Sequence, residues 1–176
     1  MSIILQTERL LLRPPQAADI SRIVPLLGDF EVSRNLARTP HPYTEDDGCA
    51  FVVRAADLRE RGVRYVFVVL RKCDAVLVGA CGVENREPHE FGYWLGRAYW
   101  GQGLATEAAR AVVAFAFDTL KLERLEAGWF CDNPASGRVL QKLGCTEDGG
   151  GERSCLSRGH AVFCHKVVLT RTAFRR

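Results

Sequence analysis

The sequence predicts a mixed α/β domain with a mostly antiparallel sheet flanked by helices, on three observations. Runs rich in β-branched and aromatic residues alternate with stretches whose apolar residues fall at helical spacing. Two of these runs, 63–71 and 75–83, are separated only by Lys72-Cys73-Asp74, the connection of a hairpin. Gly101-Gln102-Gly103 then joins a strand to a long apolar-striped helix. No repeat or linker divides the chain, so residues 1–176 read as one domain.

The opening residues read as a strand, with 7–13 as an edge or second strand stopped by Pro14-Pro15. Ile20, Ile23, Val24 and Leu27 lie at i, i+3, i+4 and i+7, which predicts a short amphipathic helix ended by Gly28 and Asp29. A second short helix is expected over 31–36, followed by a proline-stiffened loop at 39–43. Thr44 is an N-cap with Asp46 and Asp47 in the first turn, predicting a helix to about Arg61, with Gly62 ending it. The hairpin follows, then a strand over 89–95, the glycine turn, and a helix from Gly103 to about Leu120. Residues 125–131 are a further strand. Asn133-Pro134 opens a helix that ends at Leu143, with Gly144 suited to the position after it. Gly149-Gly150-Gly151 reads as a flexible turn, 154–157 and 161–169 as a closing strand pair, and the tail after 169 as frayed.

Apolar residues make up 47% and charged residues 26%, enough for a core and a soluble surface. There is no apolar run of membrane-spanning length, and the opening residues lack the pattern of a signal peptide. The net charge of +3 is too small and scattered to argue for nucleic acid. The seven cysteines form no CxxC and the four histidines show no ligand spacing, so no metal site is expected. Cys81, Cys131 and Cys164 sit in apolar runs, as reduced cysteines of a cytoplasmic protein would.

The glycine turn carries the chemistry. The first N–H groups of a helix have no partner within it and lie at the positive end of its dipole, and glycines let a ligand approach the backbone. That makes the turn a candidate phosphate site. It is not a P-loop, because Leu104-Ala105 stands where Lys then Ser or Thr is required. It is a poor dinucleotide fingerprint too, lying past the middle of the chain.

Trp100-Gly-Gln-Gly-Leu-Ala-Thr-Glu-Ala108 resembles the acetyl-CoA signature of the GNAT N-acetyltransferases, in the branch of the ribosomal-protein N-terminal acetylating enzymes. The resemblance continues at Asn133-Pro-Ala-Ser136, at Leu140-Gln-Lys-Leu-Gly144, and at the opening Thr7-Glu-Arg-Leu-Leu-Leu-Arg13. It implies a sheet splayed after its fourth strand, with acetyl-CoA as co-substrate and no metal. The backbone amides of Gln102, Gly103, Leu104, Ala105 and Thr106 would take the pyrophosphate. Trp94, Leu95 and Gly96 would pair with the pantetheine, and Arg97, Arg138 and Lys142 are candidates for the 3′-phosphate.

For catalysis, the resemblance places Glu90 as the base and Ser136, three residues after Asn133, as the proton donor, with Asn133 and Ser136 also at the cofactor. The tyrosine used by much of the family falls at Leu140, and a glutamate used by this branch falls near Cys155, with Glu152 out of register. The implied activity is direct acetyl transfer to an amine of a protein N-terminus or small molecule, by a monomer or homodimer. Transfer of another acyl group such as succinyl, and a non-catalytic acyl-CoA-binding module, stay open. An acidic groove would favour a cationic acceptor.

Overall fold

The computed structural model describes residues 3–175. Eight strands form two sheets. The larger has the order β1-β2-β3-β4-β5, with β1 at Leu5–Gln6, β2 at Leu10–Arg13, β3 at Arg64–Arg71, β4 at Leu77–Glu84 and β5 at Phe91–Leu95. All its pairings are antiparallel. The smaller has the order β6-β8-β7, from β6 at Arg124–Phe130, β7 at Thr146–Cys155 and β8 at His160–Thr170. The sheets touch where β5 begins, through a parallel bridge between Glu90 and Glu126 and a 2.8 Å hydrogen bond from the Glu126 amide to the His89 carbonyl. Beyond that point β5 and β6 separate and leave the far part of the β5 edge open, so the sheet is splayed as expected.

Five helices flank the strands: α1 at Ile20–Gly28, α2 at Phe30–Ser33, α3 at Glu45–Glu60, α4 at Leu104–Asp118 and α5 at Pro134–Leu143. The N-cap expected at Thr44 is present and belongs to a capping box, with the Asp47 amide donating to Thr44 Oγ1 and Asp47 Oδ2 accepting from the Thr44 amide. Helix α4 lies on the large sheet and buries Ala108, Val112, Phe115 and Ala116. Phe115 meets Tyr65 and Phe67 edge-on, at 5.3 and 5.6 Å between ring centres. Each fully buried residue such as Phe67, Phe117 or Leu125 contributes about 1.5–3 kcal/mol of transfer free energy. Helices α1 and α3 cover the opposite face, where Gly48 lets α3 approach α1: a Cβ there would lie 3.0 Å from Ile20.

Four expectations are corrected. The opening segment is two strands, because the Thr7 hydroxyl accepts from the Leu10 amide and its own amide donates to the Leu10 carbonyl, turning the chain. The fourth strand counted along the sequence is therefore β5. The short helix expected over 31–36 is a single turn, Phe30–Ser33, started by the Asp29 carboxylate. Gly149-Gly150-Gly151 is not a loop but lies within β7, where the pairing with β8 shifts register. Gly149 takes φ +86°, and a Cβ on Gly150 would lie 2.8 Å from the Phe163 ring, so these glycines serve a bulge and a close approach. The tail through 175 is docked: the Arg175 amide donates to the Leu143 carbonyl, and Phe174 packs on Phe117.

The end of β6 is tied down by charge. Asp132 accepts from Arg158 at 2.7 and 2.9 Å and from Arg34 at 2.8 Å, linking α2, β6 and the β7–β8 turn. The Arg158 hydrogen bonds lead in lowering its carboxyl pKa to about 2 from an ordinary 3.8. A folded-state pKa below the unfolded one adds stability that is full above the unfolded value and lost as pH falls through the folded one. Asp132→Asn is therefore expected to be less stable than the parent at pH 7, with the deficit shrinking between pH 3.8 and about 2. The side chain is a little over one-third exposed, so solvent screening keeps the effect small. Urea unfolding across that range measures it, and a deficit independent of pH would assign the loss to something other than the ion pair.

Candidate active site

Gly101 and Gly103 both hold left-handed backbone, at φ +73° and +77°. Gly103 is the N-cap residue of α4 and offers no side chain to its amides. The N–H groups of Leu104, Ala105 and Thr106 therefore start the helix without a side-chain cap, in a setting suited to an anion. The turn is held from outside. Arg9 donates to the Gln102 carbonyl at 3.0 Å and to Glu107 at 2.7 Å, and Thr7 donates to Glu107 at 2.5 Å. Burial favours the protonated form of Glu107, but the bonds from Thr7 and Arg9 outweigh it and hold the carboxyl below its usual range. The opening block of the sequence thus clamps the glycine turn.

Strand β5 leads into that turn. Its pairing with β4 uses alternate residues: the Glu90 carbonyl accepts from Glu84, and the Gly96 amide donates to the Val78 carbonyl. The backbones of Trp94 and Gly96 thus face β4, whereas those of Tyr93 and Leu95 face the open edge. Of the three residues expected to pair with pantetheine, only Leu95 presents its backbone to the gap, and its carbonyl already accepts from the Trp100 indole at 2.8 Å. The Trp94 side chain joins the apolar clusters under α1 and α3.

Across the gap stands α5. Asn133 caps it by accepting from the Ser136 amide at 3.3 Å. The Ser136 hydroxyl lies 2.8 Å from the hydroxyl of Tyr93, which is also 3.3 Å from the Ser136 carbonyl. Burial pushes the Tyr93 pKa up, against a smaller lowering by Ser136, so this phenol stays protonated. Leu140 is a buried core residue. A tyrosine absent from α5 is matched by one from β5, and the signal for it was the alternation that puts Tyr93 on the same face as Phe91 and Leu95.

One cavity of about 730 Å³ joins these parts, within the range of ligand sites. It runs from Gly101–Thr106, past Tyr93 and Ser136, to Glu90. Glu90 accepts from Arg153 at 2.7 and 3.3 Å and lies 3.5 Å from Arg38. Burial raises the Glu90 pKa, but Arg153, Arg38 and Arg64 together bring it below the ordinary carboxylate value. Arg138 and Lys142 line the cavity, while Arg97 is turned to Asp29, 3.1 Å away. Glu152 is exposed on β7, and Cys155 is buried. Sequence reasoning missed Tyr93, Arg153 and Arg38.

The fold and cavity define a splayed α/β protein whose site runs from a bare helix N-terminus along an open strand edge. The profile of the family described as "Acetyltransferase (GNAT) domain" matches residues 9–146. An N-acetyltransferase of Bacillus licheniformis called p20, itself uncharacterised, is 30% identical over 82% of this chain and 83% of its own. The ribosomal-protein-serine acetyltransferase of Escherichia coli is 27% identical over 60% of each chain. RimJ of Mycobacterium smegmatis, solved with CoA-disulfide, superposes with a TM-score of 0.84 at 20% identity, over 99% of this chain and 89% of that one. The protein belongs to the GNAT acetyltransferase family.

Proposed function

We propose that this chain is a cytoplasmic, acetyl-CoA-dependent N-acetyltransferase that passes acetyl directly to the amine of a protein N-terminus or small molecule. The observation that carries this reading is the single cavity linking the uncapped start of α4 to the Tyr93–Ser136 pair. The residues fit the co-substrate: Gly101 and Gly103 present no side chain, and a Cβ at Gly101 would meet nothing within 4 Å. The amides of Gln102 to Thr106 would hold the pyrophosphate, the edge of β5 at Tyr93 and Leu95 the pantetheine, and Arg138 and Lys142 the nucleotide end. When bound, acetyl-CoA supplies an activated thioester.

Attack by an amine on a thioester needs the amine neutral and the leaving thiolate protonated. With Tyr93 as the donor of the pair, Ser136 keeps its own proton to give toward the leaving sulfur. Glu90 receives the amine proton by way of water. Its depressed pKa makes it a weak base, so the rate rises with pH as the acceptor amine loses its own proton. The E. coli relative acts, by its name, on serine of a ribosomal protein, which supports the protein N-terminus as one acceptor class.

Thermal unfolding with acetyl-CoA, CoA and ATP in parallel tests the co-substrate. Ligand at 100 times its Kd adds about 2.7 kcal/mol, roughly 5–11 °C at this length. A shift with both CoA species and none with ATP is expected. No shift at millimolar ligand would end the reading. Turnover over a panel of amines then separates an enzyme from a module that only binds acyl-CoA.

A further inference from the structure

The acceptor end of the cavity is lined by arginines from four separate parts of the fold. Arg38 comes from the loop after α2, Arg54 from α3, Arg64 from β3 and Arg153 from β7. Two carboxylates stand among them, Glu84 and Glu90. Glu84 lies 3.4 Å from Arg64, and Glu90 is engaged by Arg153. Arg38 reaches only the carboxylate that Arg153 already holds, at 3.5 Å. Arg54 is exposed and has no hydrogen bond or ion pair among the described residues. A third carboxylate on the cavity wall, Asp47, lies two helical turns before Arg54, about 10 Å along α3, and is committed to capping Thr44.

Four guanidinium groups facing two carboxylates leave an excess of positive charge. The cations also act on one another. Burial leads in lowering the pKa of Arg64, Glu84 opposes it, and Arg38 and Arg54 lower it further. An anion placed between Arg38 and Arg54 would relieve that repulsion and satisfy a fork of N–H donors. Glu90 is three residues before Tyr93, about 10 Å along β5. The side chains of these two residues leave opposite faces of the strand, and the cationic cluster and the Tyr93–Ser136 pair line the same cavity.

We propose that the acceptor carries a carboxylate as well as its reactive amine, and that Arg54 and Arg38 bind this carboxylate. The inference rests on the N-acetyltransferase reading for the identity of the amine but not for the anion site itself. A cationic acceptor such as a polyamine is disfavoured by the same charges. Two sources supply this chemistry: an acidic side chain next to a peptide N-terminus, and a free amino dicarboxylic acid. Binding also draws Arg38 away from Glu90, removing one of the cations that weaken that base.

The test uses the full chain saturated with CoA and measures acceptor binding by calorimetry at low salt. The peptide probes are alanyl-aspartyl amide, alanyl-asparaginyl amide and alanyl-lysyl amide. The small-molecule probes are aspartate and its diamide. At least about tenfold tighter binding of the acid over the neutral analogue is expected in one series or both, which names the source, with the lysyl peptide weakest. Arg54→Glu should collapse the acid-to-amide ratio toward one while CoA affinity is retained, which also reports that the variant is folded. Equal binding of acid and amide, tighter binding of the lysyl peptide, or an unchanged ratio in Arg54→Glu would overturn the proposal. Turnover is read separately with acetyl-CoA. Arg54-dependent binding without turnover would refute the transferase reading and keep the anion site, whereas equal turnover of acid and amide peptides would keep the transferase reading and refute the anion site.

Discussion

Gly103→Asp is expected to weaken acetyl-CoA binding about a hundredfold while the protein stays folded. Two effects on the fold oppose each other. A non-glycine residue at φ +77° costs about 1–2 kcal/mol, at the low end for Asp, which tolerates left-handed backbone. Asp is also among the strongest N-cap residues, and α4 has no side-chain cap to lose, so a new cap returns about 0.5–2 kcal/mol. The added Cβ lies 3.4 Å from the flexible tip of Arg9, which can shift. On binding, both effects act against the ligand. The carboxylate takes the amides of the first turn for itself and puts a negative charge where the pyrophosphate would sit. Two factors of ten correspond to about 2.7 kcal/mol, the scale of one or two charge-assisted hydrogen bonds. Calorimetry gives the affinity and thermal unfolding the fold. A folded variant with unchanged affinity would show that the start of α4 does not hold the co-substrate. Gly101→Ala makes a useful contrast, since its Cβ meets nothing and only the backbone cost at φ +73° remains.

The glycine turn was legible because its meaning is local. Two glycines, a following apolar stripe and a preceding strand are all contiguous, and they specify a bare helix start without reference to anything distant. Thr44 was legible as an N-cap for the same reason, since a cap and the helix turn it starts are neighbours in the chain. The glycines at 149–151 misled. Three in a row read as a turn, but Gly150 is required by the Phe163 ring across the ladder, a contact that exists only once β7 and β8 have paired. The docked tail depends likewise on Leu143 and Phe117, far away in the chain.

The candidate site divides along the same line. The glycine turn and the helix start that would hold the pyrophosphate are one continuous segment, and the sequence marks that segment as the candidate. The site's catalytic and acceptor half is assembled from β5, α5, β7, α3 and the loop after α2, so no spacing rule reaches it. Glu90, the candidate base, does line the cavity, but its partner Arg153 lies 63 residues on and no local pattern points to it. Trp94 and Gly96 were expected to offer their backbones to the ligand. The pairing with β4 assigns that face to Tyr93 and Leu95, because which residues of a strand point to the open edge is fixed by register, and register is a tertiary fact.

Ser136→Ala is expected to lower kcat by about a hundredfold, within the range for losing a positioned proton donor, and to change the KM for acetyl-CoA much less. The cap of α5 belongs to Asn133, so the substitution leaves the helix start intact. Tyr93→Phe is expected to cost about tenfold. It removes the hydroxyl 2.8 Å from Ser136 Oγ, after which the serine hydroxyl is free to turn away from the gap, while the partly buried ring keeps its packing. If the two hydroxyls act in series, their losses are not additive, and the double variant should be scarcely slower than Ser136→Ala alone. If they act independently, the double variant loses the product, about a thousandfold. The pH profile adds a second discriminator. Burial raises the Tyr93 pKa, so no ionisation of this phenol should appear in the rate between pH 6 and about 9.5, and Tyr93→Phe should leave the shape of the profile unchanged. Full activity in Ser136→Ala would remove the serine from the chemistry. In that case the Tyr93–Ser136 bond would be a strut holding α5 against β5, its loss visible in thermal unfolding and not in kcat.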